Sequence, residues 1–301
     1  MRVFVTGASG HVGSALVPEL LAAGHEVVGL ARSDASAAKL AEAGVAVHRG
    51  DLQDLEGLRA AAAATDGVVH LAFDNQAMAA GDLASAGETD LAALRALGDG
   101  LEGTGKPLVA TSGTGMLIAL GLDRAGTEDD VLPGGYRVDS ENLVAGFADR
   151  GIRSSVVRLP PSVHSSLDKH GFVPTLIAAA RKAGRSGYLG DGANRWPAVH
   201  TLDAARVYRL ALEKAPAGSR LHAVGDEGVP FREIAEAIGR NLGLPAEQIP
   251  AEQAEAHFGF LAAFAGVDNP TSSARTQELL DWKPEQPGLL ADIDAGRYLS
   301  V

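Results

Sequence analysis

Short apolar runs alternate with longer amphipathic segments over residues 1–160. The runs at 2–6, 26–31, 45–48, 67–72, 107–112 and 153–159 are apolar and predict buried β-strands. The segments at 14–23, 35–43, 55–64, 85–101 and 136–149 predict helices between those strands. Because strands that alternate with helices form parallel sheets, the pattern predicts an α/β fold with a doubly wound parallel sheet covered on both faces.

The pattern changes after Pro160-Pro161, which we expect to end the last of these strands. Beyond it, helices are predicted near 203–214, 231–241 and 251–265, and short strands at 197–200 and 221–224. No long Pro- or Ser-rich linker interrupts the chain. We therefore expect residues 1–162 and 195–225 to form the sheet domain. Residues 163–194 and 226–301 would form a smaller, mostly helical substrate-binding lobe, with a cleft between the two.

The composition is that of an ordinary globular protein, with 46% hydrophobic and 21% charged residues in a chain of 301. A net charge of -12 disfavours binding to nucleic acids and to anionic membranes. The chain has no cysteine, which excludes disulfides, thiolate catalysis and cysteine-based metal sites. The sequence starts on a strand-like run without the features of a signal peptide, so we expect a cytoplasmic protein.

Three glycines separate the first predicted strand from the first predicted helix. Glycine permits a tight turn at this point, allows the backbone to approach a diphosphate, and lets the helix pack closely on the strand. The amides at the start of the helix favour a bound phosphate. The turn therefore predicts a dinucleotide site formed by Gly7, Ser9, Gly10, His11, Val12 and Gly13.

The end of the second strand, Leu30-Ala31-Arg32-Ser33, bears on which dinucleotide binds. A carboxylate there binds a ribose 2'-hydroxyl, whereas an arginine suits a 2'-phosphate. Arg32 can stack on adenine and pair with phosphate, and Ser33 can donate a further hydrogen bond. We therefore expect NADP(H) in preference to NAD(H). The alternative is a solvated Arg32, with Asp34 binding the ribose of NAD.

Further motifs follow the glycine turn in a fixed order along the chain. They are Gly50-Asp51-Leu52, Val69-His70-Leu71-Ala72, Thr111-Ser112, Val156-Val157-Arg158-Leu159-Pro160-Pro161 and Trp196-Pro-Ala-Val-His-Thr-Leu-Asp203. With Thr6 and the glycine turn, they resemble the extended, epimerase-like branch of the short-chain dehydrogenase/reductase superfamily, which has a Rossmann fold. The resemblance implies that Asp51 and Leu52 contact adenine, although Asp51 could instead cap a helix. It also implies cofactor contacts towards the nicotinamide from Leu71, Ala72, Pro160 and Val163.

The family's usual catalytic groups are a tyrosine, a lysine four residues later on the same helix face, and a serine. Ser112 matches the serine, but Tyr136 is followed by Ser140 where the lysine belongs. The other alignment puts Arg137 at the tyrosine position and Glu141 at the lysine position. Without a nearby cation, a phenol with a pKa of about 10 is a poor base at neutral pH. We therefore expect an atypical member in which Ser112, Tyr136 and Arg137 act on the substrate.

The sequence does not identify the group that donates a proton to the substrate. Tyr136 or a relayed water could donate the proton, and Thr114 could help Ser112 to orient a carbonyl. His164 and His200 are candidate substitutes for the missing dyad. Neither a His-Glu-x-x-His pattern nor a Gly-x-Ser-x-Gly turn is present, so we expect no metal site and no hydrolase.

The function that these observations predict is an NADP-dependent oxidoreductase acting on the carbonyl or alcohol of a small, apolar substrate. Aromatic residues offer apolar surface for it at Phe172, Tyr188, Trp196 and 258–264. The alternative is an NADP-binding sensor without turnover, because the Tyr-Lys pair is incomplete. A sugar-nucleotide epimerase or dehydratase is less favoured, since it normally keeps that pair. The alanine-rich helices at 85–101 and 136–149 resemble the family's dimer-forming pair, which implies a homodimer.

Overall fold

The computed structural model describes residues 1–74, 76–77 and 81–298. Its strands are β1 (Arg2–Thr6), β2 (Glu26–Ala31), β3 (Ala46–Arg49), β4 (Gly67–His70), β5 (Pro107–Gly113), β6 (Arg153–Leu159), β7 (Ser162–His164), β8 (Ser186–Leu189), β9 (Arg195–His200), β10 (Ser219–His222), β11 (Asp226–Pro230) and β12 (Ala246–Ile249). Seven of them form one parallel sheet in the order β10-β6-β5-β4-β1-β2-β3. The fold class predicted from the sequence, a doubly wound Rossmann-type sheet, is confirmed. The strand order reverses between β1 and β4, and such a reversal places a binding crevice at the carboxyl ends of the strands.

Helices connect and cover these strands. They are α1 (His11–Ala22), α2 (Asp34–Glu42), α3 (Leu55–Ala63), α4 (Leu83–Leu101), α5 (Val138–Gly146), α6 (Phe172–Ala183), α7 (Thr201–Lys214), α8 (Phe231–Leu242), α9 (Ala254–Phe258), α10 (Ala262–Ala265), α11 (Ala274–Leu280) and α12 (Leu289–Asp294). In the part of the chain that the structure describes, no helix is both long enough and apolar enough to cross a membrane.

The core lies on both faces of the large sheet, as the alternation of side chains in β1 shows. Val3 and Val5 pack with α1 and α7 on one face, and Phe4 packs with α3, α4 and α5 on the other. Successive side chains of a strand point to opposite faces, so a fully apolar strand can support a helix layer on each side. The sheet that carries the crevice is therefore held rigidly from above and below.

The second half of the chain contains more strands than its sequence predicts. β7, β9 and β11 form a three-stranded sheet, and β8 pairs with β12. These strands are three to six residues long, too short to show a clear alternating pattern. Trp196 and Ala198 of β9 pack in the core of the C-terminal part, although β9 falls in the range that we assigned to the sheet domain. The exact division into two domains stays a prediction.

Two predicted helices are shorter than expected, and α6, α11, α12 and a 3-10 helix were not predicted. Helix α5 starts at Val138 instead of 136, because Gly135 (φ 123°) and Arg137 (φ 58°) have backbone angles that no right-handed helix accepts. The helix predicted over 251–265 is broken into short helical turns at Gly259 (φ 56°). The glycine-rich segment after β5 contains a 3-10 helix, Thr114–Leu120, which none of the predicted helices covers.

Candidate active site

The glycine turn after β1 has the geometry of a diphosphate cradle. Gly7 has φ 68°, and a Cβ atom there would lie 2.8 Å from the backbone nitrogen of Ala72. A Cβ atom on Gly13 would overlap the carbonyl oxygen of Gly7, so α1 packs on the turn as closely as glycine allows. The N-cap residue of α1 is Gly10, and no side chain caps the helix. Its first amides can therefore serve an anion.

A cavity of about 360 Å³ extends from this turn along the ends of β2 and β4. Seven of the predicted cofactor residues line it, namely Gly7, Ser9, Arg32, Ser33, Asp51, Leu52 and Ala72. Other lining residues, missed from the sequence, include Ser36, Gln53, Phe73, Asp74 and Thr89. A cleft of this size with a glycine floor and an arginine at one end fits a dinucleotide.

At the β2 end of this cavity, the structure distinguishes Arg32 from Asp34, the basic and the acidic residue that the sequence offered for binding the ribose. Arg32 lines the cavity, whereas Asp34 does not. Nη2 of Arg49 lies 2.7 Å from Oδ1 of Asp34, and Nη1 of Arg49 donates to the Ser33 carbonyl at 2.8 Å. Asp34 is thus engaged by an arginine of the neighbouring strand. Ser36 completes a capping box with Ser33 at the start of α2, which brings two hydroxyls to the cavity wall.

Other predicted cofactor residues lie outside both cavities described here. Val12, Leu71 and Val163 are half-buried and pack against the hydrophobic core beside the sheet. His11 turns towards α7, where its Nε2 lies 2.8 Å from Oγ1 of Thr201. Burial lowers the pKa of His11 to about 4, helped by the nearby His164 and His200, so its ring is neutral at neutral pH. These side chains support the cofactor site without lining it.

A second cavity, of about 340 Å³, contains the predicted catalytic residues Ser112, Tyr136 and Arg137 together with Pro160. Its remaining wall is mostly apolar and comes from both parts of the chain: Gly113, Gly115, Met116, Ile118, Leu159, Pro161, Phe172, Trp196, Phe264, Val267 and Asn269. Three of the aromatic residues that we expected there are in place. Tyr188, Phe258 and Phe260 are not: Phe258 is part of the core, the Tyr188 ring lies under Arg232, and Phe260 is exposed.

The two cavities meet at Phe73. The Arg137 guanidinium lies 4.2 Å from the centre of the Phe73 ring, and its Nη2 donates to the Thr111 carbonyl at 2.9 Å. Phe73 lines the first cavity and Arg137 the second. Phe73 follows Leu71-Ala72 directly, and this position was the signal that the sequence offered for it. A cofactor in the first cavity would thus point its far end into the second.

Glu141, at the lysine position in one of the two alignments with the family pattern, is buried in an ion pair. Its carboxylate lies 2.5 Å from Nη2 of Arg158 and 2.9 Å from Nε of Arg220. Burial by itself raises the pKa of the Glu141 carboxyl, but the charges and hydrogen bonds of Arg158 and Arg220 outweigh it and hold that pKa below its ordinary value. Glu141 therefore stays ionised, and the Ser112 hydroxyl lies 3.7 Å from the sulfur of Met116. It cannot supply the cation that the lysine supplies elsewhere.

Tyr136 lies before α5, so it does not share a helix face with Ser140. Its side chain is 41% exposed, and burial of the remainder raises the pKa of the phenol, against the effect of Arg137. The phenol is consequently protonated at neutral pH, a state in which it can donate a proton but not accept one. Arg137 is the N-cap residue of α5 and lies one helical turn before Glu141.

The histidine candidates lie outside the second cavity. His164 is fully buried, with its Nδ1 3.0 Å from Oδ2 of Asp292, and its ring packs edge-on against His200. His70 is a core residue, bonded to Thr6 and Asp90. Thr114 is also fully buried, and its hydroxyl accepts a hydrogen bond from Asn269. None of these side chains is placed to hand a proton to a substrate in the second cavity.

No group of three or more His, Asp or Glu residues in the described ranges could hold a metal ion. This result covers residues 1–74, 76–77 and 81–298.

Comparison with known proteins shows where this arrangement belongs. Residues 3–89 match the NAD dependent epimerase/dehydratase family. A protein of Schizosaccharomyces pombe described as uncharacterised is 46% identical over 99% of this chain and 100% of its own length. The 2-alkyl-3-oxoalkanoate reductase of Stenotrophomonas maltophilia is 30% identical over 81% of this chain and 77% of its own. The fold is similar to that of UDP-glucose 4-epimerase from Thermotoga maritima, with a TM-score of 0.80 and 16% identity over 100% of this chain and 99% of that one. The chain belongs to the NAD-dependent epimerase/dehydratase family, the extended branch of the short-chain dehydrogenases/reductases.

Proposed function

We propose that this protein is an NADP-dependent oxidoreductase that transfers hydride between the nicotinamide and the carbonyl or alcohol carbon of a small, apolar substrate. One observation carries the proposal: the dinucleotide-shaped cavity at the glycine turn meets an apolar cavity containing Ser112 at the Phe73–Arg137 contact. The reductase names of two relatives, 2-alkyl-3-oxoalkanoate reductase and 2'-dehydrokanamycin reductase, agree with it.

The preference for NADP(H) over NAD(H) rests on the end of β2. Arg32, Ser33 and Ser36 present one cation and two hydroxyls to the cavity, a set that suits a 2'-phosphate. Asp34, the residue that would bind a free 2'-hydroxyl, lies outside the cavity and pairs with Arg49 at the surface. The first amides of α1 would hold the diphosphate, and Asp51 and Leu52 would contact adenine.

The bound nicotinamide supplies or accepts the hydride, and the side chains of the second cavity act on the substrate oxygen. Ser112 and Tyr136 carry hydroxyls that can donate to a carbonyl, and Arg137 carries a permanent positive charge. Tyr136, or a water that it contacts, would hand the proton to the oxygen as it becomes an alkoxide. Arg137 would stabilise that negative charge where the family uses a lysine.

The test is the loss of NADPH absorbance with a panel of aldehydes, ketones and sugar nucleotides, repeated with NADH. We expect turnover of apolar ketones with NADPH, strongly reduced in the Ser112→Ala variant. The Ser219→Ala variant, in which a half-buried serine that lines neither cavity is changed, is the control. Binding of NADPH without turnover of any compound would contradict an enzymatic role and favour a sensor. Turnover of sugar nucleotides alone would favour an epimerase or dehydratase.

The proposal includes a homodimer formed through α4 and α5, in the cytoplasm. Sedimentation equilibrium measures the oligomeric state directly. A monomer at micromolar concentration would contradict the dimer and leave the redox function unaffected.

A further inference from the structure

We propose that Arg137 binds a carboxylate of the substrate, so that the protein reduces apolar oxo acids. The inference rests on the proposed function and narrows its substrate class. It follows from the charge of the second cavity, from the way Arg137 is held, and from the size of the cavity.

The charge of the second cavity comes from one side chain. Arg137 is the only ionised group among its lining residues, and no carboxylate of the described chain lies within ion-pair distance of it. Asp90, whose carboxylate interacts electrostatically with Arg137, is buried and hydrogen-bonded to His70, and it does not line the cavity. A guanidinium in an apolar pocket attracts an anion more strongly than one in water, since the local dielectric constant is lower.

Two contacts hold the Arg137 guanidinium in place, and most of its N–H donors remain available for a ligand. The Thr111 carbonyl is the one acceptor that it contacts in the described part of the chain, and the Phe73 ring covers one face of the guanidinium. A guanidinium has five N–H donors, so most of them remain for a ligand, and a carboxylate matches their fork geometry. The backbone of Arg137 has φ 58°, a left-handed value that persists only where the surroundings enforce it.

The cavity favours a small monoanion over a nucleoside diphosphate. Its volume of about 340 Å³ is at the low end for ligand pockets, and its walls are mostly apolar. One cation can neutralise one carboxylate, whereas a diphosphate has more negative charge than this cavity can match. Met116, Ile118 and Val267, with the aromatic rings, suit an alkyl or aryl body.

The position of Arg137 also limits where the carboxylate lies in the substrate. The guanidinium contacts the Thr111 carbonyl, and Ser112 is the next residue. Arg137 and Ser112 line the same small cavity, so a substrate that contacts both would carry its carboxylate near its carbonyl, as in a 2-oxo or 3-oxo acid. The ketone carbon accepts hydride from NADPH and its oxygen accepts one proton, which gives a hydroxy acid and NADP+.

The experiment compares freshly prepared 3-oxohexanoate with its ethyl ester and with 2-pentanone, the product of its spontaneous decarboxylation. We expect kcat/KM for the acid to exceed that for the ester by about 10- to 100-fold, the value of a charge-assisted hydrogen-bonded pair. In the Arg137→Gln variant this ratio falls towards one, because KM of the acid rises while kcat falls for acid and ester alike. Arg240→Gln, which removes an exposed arginine on α8, keeps the ratio.

A second measurement separates this inference from the proposed function. Calorimetry on the complex with NADP+ compares hexanoate with hexanamide, and we expect at least 10-fold tighter binding of hexanoate, lost in Arg137→Gln. Equal kcat/KM for acid and ester overturns the inference while the reductase stands. If no ketone is reduced at all, the proposed function fails. The carboxylate site is then overturned as well if hexanoate binds no more tightly than hexanamide.

Discussion

Oε1 of Glu141 lies 2.5 Å from Nη2 of Arg158, and both side chains are buried. Arg158 also contacts His222 and the Asp130 carbonyl, so β6, α5 and β10 are tied together around one guanidinium. Glu141, which takes the lysine position in one of the two alignments with the family pattern, thus serves here in a structural ion pair. Arg137, which lines the second cavity, lies one helical turn earlier.

We expect that replacing Glu141 by lysine will destabilise the fold and will not increase activity. Glu141→Lys would bury a third positive charge beside Arg158 and Arg220, and losing one partner of a buried pair typically destabilises by about 3–5 kcal/mol. Urea unfolding measures the change. Glu102→Lys, at an exposed pair with Arg150, is the control, with an expected loss below about 1 kcal/mol. A stable and faster Glu141→Lys enzyme would show that the ion pair is dispensable.

We expect the choice between NADP(H) and NAD(H) to depend on Arg32. Because its guanidinium would face the 2'-phosphate, Arg32→Asp should weaken NADPH binding by about 10- to 100-fold and leave NADH binding equal or tighter. Isothermal calorimetry with both cofactors gives the ratio. Arg59→Gln, an exposed change on α3, should leave both affinities as they are. Unchanged NADPH affinity in Arg32→Asp would disprove the assignment.

The close packing of the glycine turn predicts a steric effect at Gly13. In Gly13→Ala the new methyl group would overlap the Gly7 carbonyl, so α1 must move away from the turn. We expect loss of dinucleotide binding and a destabilisation of about 1–3 kcal/mol. Gly146→Ala is the matched control, because a Cβ atom on this α5 residue meets nothing within 4 Å. Full cofactor affinity in Gly13→Ala would mean that the turn tolerates the shift.

The lowered pKa of His11 predicts how the free energy of unfolding changes with pH. Its pKa is lowered to about 4 in the fold, so between pH 6.5 and 4 the unfolded chain binds more protons than the folded one. The stability associated with the neutral ring is complete above pH 6.5 and is lost as the pH falls towards 4. After allowance for its partial exposure, we expect about 2 kcal/mol from this residue.

The measurement is the free energy of unfolding at pH 7.5 and pH 4.5 in the wild type and in His11→Asn. The difference between the two pH values should be smaller in the variant. His170→Asn, with an exposed ring, is the control. An equal pH difference in His11→Asn and the wild type would show that His11 does not carry the effect.

Features that are set by residues close together in the sequence could be predicted from it. The glycine turn and the strands of the first half belong to this class, because the spacing of Gly7, Gly10 and Gly13 and the apolar runs are local patterns. The short strands β7, β8, β11 and β12 could not be predicted, since three to five residues show no clear period. The capping of α2 by Ser33 and Ser36 was also readable, as two serines three residues apart.

By itself, the sequence determined the parallel sheet, the glycine turn and the absence of the lysine that the family pattern requires. The tertiary structure alone decided that Arg49 holds Asp34, that Phe73 lies between the two cavities under Arg137, and that Glu141 pairs with Arg158 and Arg220. These contacts join residues 15 to 79 positions apart in the chain. No local pattern encodes them, because they form only when the sheet brings the ends of its strands together.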